Sequence, residues 1–245
     1  MAVMEYPGRN RDEGKFAERL AALSSAERRE LRDLMGWPPN AANVPDSFFE
    51  EAAERRRTES YAMLYLLFLA SADYHAGFGE PDDDFTDSID QQANEWAEDR
   101  SRQLATRYAE RSRGAFSRLA QRLDALTDAT SGRDKIAMTK AEFEDELGKV
   151  AGPDRDAETA ATNTTAAQTA GGDAAAKDTM GGDSPSDTWV NQPHLTRTGP
   201  CERCEALHDK PRSEWASIDS FSSDGPPLHD YCACIIVYAN AAVGA

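Results

Sequence analysis

Residues 101–126 read SRQLATRYAERSRGAFSRLAQRLDAL. Within them Leu104, Tyr108, Ala115, Phe116, Leu119, Leu123 and Leu126 recur mostly three, four or seven positions apart, the spacing of one helical face. The remaining positions are crowded with Arg, Glu and Gln, and Arg102, Arg107, Arg111, Arg113, Arg118 and Arg122, with Arg100 just upstream, make that side basic. It reads first as a solvated face whose arginines pair with acids one turn away. A nucleic-acid or partner contact is the alternative. The pattern extends back to about Thr86, so one long helix is expected from there to about Leu126.

Helical signals continue on both sides. Ser24 and Glu27 have capping-box spacing, and Gly36 with Pro38-Pro39 marks the end of that helix. Ser47 and Glu50 repeat the spacing at the start of a second helix. It runs through Arg55-Arg56-Arg57 and the apolar stretch to about Ala76, where Gly77, Gly79 and Pro81 stop it. Asp82-Asp83-Asp84 reads as a loop and helix-start cluster. Thr139 and Glu142 cap a short helix to Val150, ended by Gly152-Pro153. The Ala/Thr-rich stretch from Asp154 to about Lys177 reads as a thinly packed helix or a linker, interrupted by Gly171-Gly172 and Gly181-Gly182. Thr188-Trp189-Val190 and Cys234 to Tyr238 are the two strand candidates. The expected fold is mainly α: a long-helix body with a small α+β cysteine-rich C-terminal module. The segments are 1–85, a helical region; 86–183, the helical body with its linker; and 184–245, the cysteine module.

Composition narrows the function classes. The chain has 245 residues, a formal net charge of −17 and only six lysines. Mean hydropathy is −0.68, so the surface must be very polar. Such a balance argues against broad wrapping of DNA, which needs many cations at phosphates. The charged start (Glu5, Arg9, Arg11, Asp12) lacks the apolar core of a secretory signal. The longest apolar run, Tyr61 to Ala72, falls short of the ~20 residues a bilayer requires. An intracellular setting is expected, where paired cysteines favour metal over disulfide.

The chain's four cysteines form two tight pairs, Cys201-x-x-Cys204 and Cys232-x-Cys234. Two thiolates across a tight turn can reach one ion at ~2.3 Å each. Alternate residues of a strand face one side, so Cys232 and Cys234 can approach the same ion. His229 is a rival ligand three residues before Cys232. The candidate shells are four cysteines, or three cysteines with His229, around structural zinc. A disulfide between the pairs and metal-free buried thiols are the competing readings. His75, His194 and His208 have no partner at ligand spacing, although His208 lies close to the first pair. No phosphate-binding glycine loop, nucleophile elbow or H-E-x-x-H helix is present.

With these residues in place, the C-terminal segment resembles the phage Mu protein F-like minor head morphogenesis family. The matching positions are Trp189, Cys201, Cys204, Leu207, Pro226, Pro227, His229, Cys232 and Cys234, preceded by a similar run Arg155-Asp156-Ala157-Glu158-Thr159 with Asn163. The resemblance covers residues 86–240 and is concentrated in the last fifty. Asp209 stands where the family has glycine, and Ala233 where it has a basic residue.

The resemblance implies a non-enzymatic virion component present in few copies. It would sit in the capsid interior or at the portal vertex after assembly in the host cytoplasm. Portal protein or major capsid protein would be its partners, with packaged DNA a further contact and neither membrane nor small-molecule substrate involved. Two other classes compete. One is a zinc-dependent nuclease with His229 as base, for which only His208 and Asn191 are nearby auxiliaries. The other is a zinc finger for nucleic acid, which the acidic excess between Thr196 and Tyr238 disfavours.

Overall fold

The computed structural model describes residues 6–129, 138–192, 199, 201–218, 225–227 and 232–241. The protein is mainly α. In chain order the helices are α1 (Arg9–Met35), α2 (Phe48–Ala76), α3 (Phe85–Ala129), α4 (Lys140–Val150) and α5 (Pro153–Thr179); strand β1 (Thr188–Val190), helices α6 (Glu202–Leu207) and α7 (Arg212–Ile218), and strand β2 (Ile235–Val237) follow. A short 3₁₀ turn, Ala41–Asn43, joins α1 to α2. Among the described residues no helix is long and apolar enough to cross a membrane.

Several boundaries lie where local chemistry puts them. Helix α1 ends at Met35 and Gly36 follows at φ 69, a left-handed turn that costs glycine little. Thr139 and Glu142 form a complete capping box: the Thr139 hydroxyl accepts the Glu142 N–H, and Glu142 accepts the Thr139 N–H. The strand candidates form a two-stranded antiparallel ladder with Trp189 opposite Ile236.

Two expectations are corrected. Ser24 and Glu27 do not start a helix, because α1 runs unbroken through them. Both are buried, and both bind the Arg56 guanidinium of α2. Nor is the Ala/Thr-rich stretch a linker. It is helix α5, continuous through Gly171 and Gly172. Small side chains let it lie close to its neighbours: a Cβ on Gly171 would stand 2.3 Å from the Phe68 carbonyl oxygen of α2. Its termination comes later, at Gly181 and Gly182, both at positive φ.

The chain divides into two compact units that interleave along the sequence. The first comprises residues 1–17, 61–100 and 158–245; the second comprises 18–60 and 101–157. Helices α1, α2, α3 and α5 each contribute a segment to both, so the units do not follow the sequential segments 1–85, 86–183 and 184–245. The second unit packs Leu31, Met35, Phe48, Phe49, Leu119, Phe143 and Leu147 together. The first holds a cluster of Phe68, Ala72, Ile89, Ala93, Ala174 and Ala175, and a second cluster around Trp189 and the cysteines.

Candidate metal centre

The cysteine cluster is assembled by two short segments, the start of α6 and the approach to β2. Cys201 is the N-cap residue of α6, where its sulfur accepts the Cys204 N–H at 3.5 Å. This turn carries Cys204 inward, to 2% exposure. Cys232 and Cys234 arrive on the approach to β2, at 1% and 4%. The sulfurs of Cys204, Cys232 and Cys234 all lie within 4.8 Å of one another, so these three residues can hold a metal ion. Cys201 is half-buried at the edge of the same cluster. His229 and His194 lie outside the described residues.

Surrounding groups hold the sulfurs in place. Thr165 of α5 donates its hydroxyl to the Cys232 carbonyl. The Cys234 thiol donates to Asn191 Oδ1 at 3.2 Å, and the Asn191 N–H donates to His208 Nδ1 at 3.2 Å. His208 is thus linked to the cluster through Asn191. Trp189, fully buried, packs edge-on against Trp215 with ring centroids 5.5 Å apart. The buried Trp189 Nε1–H makes no hydrogen bond of standard geometry, and it lies near enough to Cys234 to favour the ionised sulfur.

The electrostatics of the bare cluster are unfavourable to thiolates. Hydrogen bonds from Cys232 and Cys234, then burial, push the Cys204 thiol far up. Cys234 is pushed up to about 12: its hydrogen bond with Cys204 works downward, but Cys232 and burial outweigh it. Sulfurs sharing one buried site cannot all ionise unless a cation joins them, and a bound divalent ion reverses the local preference. The four cysteines are not joined to one another. Cys204 and Cys232 sulfurs are 3.9 Å apart, nearly twice a disulfide bond of about 2.05 Å.

Sequence reasoning passed over several supporting residues. Asp187 is 1% exposed and accepts from the Ser184 and Ala239 N–H groups and from Arg212, while its carbonyl accepts the Trp215 indole N–H. The Ser184-Pro185-Ser186-Asp187 turn was its only local signal. Asp209 adopts the left-handed conformation at φ 60. Aspartate tolerates that region better than most residues, and the Asp209 N–H donates to the Trp189 carbonyl at 2.9 Å.

No protein-family model, curated protein or solved structure matches this chain.

Proposed function

We propose that this chain is a non-enzymatic minor head protein similar to the phage Mu protein F-like family, carried in the virion beside the portal or capsid protein. Its C-terminal module is locked by a structural zinc ion. One observation carries this reading. Five of the nine matching positions, Trp189, Cys204, Leu207, Cys232 and Cys234, converge into one buried core at 0–4% exposure. A motif spent on the centre of a small fold suits a structural cross-link better than an open catalytic site, which keeps a coordination position for water or substrate.

Zinc fits the donor set. Soft thiolates select zinc among the common divalent ions. Four sulfurs at ~2.3 Å around a tetrahedral ion stand about 3.8 Å apart, close to the 3.9 Å between Cys204 and Cys232. The unpaired Trp189 N–H gains an acceptor once Cys234 is ionised. Cys204, Cys232 and Cys234 would bind the ion, with Cys201 the nearest fourth cysteine. Zinc supplies cross-linking energy to a module too small to fold well alone.

The test is made on particles. Mass spectrometry of purified virions should find the chain in few copies and cross-linked to portal or capsid protein. Its absence from particles would overturn the reading. Metal analysis of the purified chain should find about one zinc per chain, lost in Cys204→Ser; a metal-free wild type would remove the zinc.

A further inference from the structure

We propose that a stripe of arginines on α3 binds the phosphate backbone of duplex DNA without reading its sequence. In the second unit, α3 turns Ser101, Ala105, Ala109, Ser112, Ala115 and Leu119 inward. Arg107, Arg111, Arg118 and Arg122 are exposed. At about 100° per residue these four fall within an arc of roughly 60°. Glu110 and Asp124, the two acids of residues 101–126, project outside that arc. Along the axis the guanidiniums are spaced by about 6, 10 and 6 Å at a rise of 1.5 Å per residue.

Arg29 is exposed without an ion pair among the described residues, but most of the unit's other surface arginines are paired. Arg19, Arg32, Arg55 and Arg113 each meet a glutamate, at 2.5–3.0 Å. Arg122, at the end of the stripe, meets Glu146. Arg107, Arg111 and Arg118 have no ion pair or side-chain hydrogen bond among the described residues. The acids that meet Arg113 and Arg122 come from α2 and α4 rather than from one turn away on α3, and these three arginines meet none among the described residues. Like charges one turn apart, as at Arg107 and Arg111, work slightly against the helix, so folding does not account for them.

Charge elsewhere confines the contact. The first unit carries nine basic and 25 acidic side chains, the second 18 and 19. Nearly all of the net −17 belongs to the first unit, and a polyanion is repelled there but not at the stripe. No aromatic side chain is exposed on the stripe, so the stacking platform that single strands use is lacking. B-form DNA admits a helix to its major groove, whereas the deep, narrow A-form groove does not. The inference does not rest on the head-protein reading.

The full chain is titrated with a 20-base-pair duplex of arbitrary sequence between about 50 and 200 mM salt. Three phosphate contacts predict a slope of about −2.7 in log K against log salt, roughly a fortyfold weakening over that range. The triple variant Arg107→Gln, Arg111→Gln, Arg118→Gln should lose at least tenfold in affinity and most of the slope while keeping its helical circular dichroism. The corresponding triple lysine variant should restore both, and Arg19→Gln should change neither. A duplex that fails to bind, or one bound equally by the triple glutamine variant, overturns the proposal. So does sedimentation showing that wild type self-associates through these residues and the variant does not.

Discussion

Arg212 is shared by three carboxylates: Asp173 at 3.4 Å, Asp183 at 3.4 Å and Asp187 at 3.3 Å. One cation cannot fully compensate three anions. Burial pushes the Asp173 carboxyl up to about 6 and Asp183 adds to the rise, against the lowering by the Tyr238 hydroxyl and Arg212. The native carboxyl thus holds its proton more tightly than the unfolded one at 3.8. Between those values the folded state binds the extra proton, so stability falls as pH rises from about 4 to 6 and the deficit persists above. Asp173→Asn removes this deficit while keeping an acceptor for Tyr238. Urea unfolding should show the variant more stable than wild type at pH 7.5, by up to about 3 kcal/mol, with the difference shrinking towards pH 4. A pH-independent difference would refute the assignment. In the second unit charge is matched differently. Arg56, buried between Glu27 and Asp156, also lies 3.8 Å over the Tyr108 ring.

At the scale of elements, α5 decides how α2 is packed. Gly171 lies against the Phe68 backbone, and the Ser71 hydroxyl of α2 donates to the Gln168 carbonyl at 2.8 Å. Helix propensity alone favours alanine over glycine by about 1 kcal/mol. Gly171→Ala should nevertheless destabilise, by about 1–3 kcal/mol, because backbone cannot yield as a side-chain tip can. Gly148 of α4 faces open space, where an added Cβ would meet nothing within 4 Å. Gly148→Ala should stabilise by about 0.5–1 kcal/mol. Chemical denaturation of both variants checks the pair, and equal signs would show that α5 is not packed this closely.

Across the whole molecule, charge is divided unequally. The first unit's 25 acids against nine bases make self-repulsion the dominant surface effect there, and salt screens it. The second unit is near balance and holds its surface with ion pairs that salt weakens. Hydrogen exchange measured from about 20 mM to 1 M NaCl should therefore show protection rising in residues 61–100 and 158–192. Residues 18–60 and 101–126 should stay level or lose protection. A uniform response would mean that the charge division has no energetic consequence.

Features settled by near neighbours were legible in the residues themselves. The ends of α1 and α2, the Thr139 capping box and both strands follow from glycine, proline and capping chemistry acting within a few positions. The cysteine spacing likewise announced a shared site, and three of its sulfurs do meet. Features settled by distant partners were not legible. Ser24 and Glu27 have the spacing of a cap, yet Arg56 takes them into the interior. An Ala/Thr/Gly-rich stretch carries no apolar stripe to reveal that it is buried, because small residues are chosen by what lies against them. Arg9 finds Gln168 across 159 positions, and Asp187 gathers groups from three separate segments. Periodicity and capping are written locally. Burial, charge pairing and the fit of one backbone to another exist only once the chain has brought remote residues together.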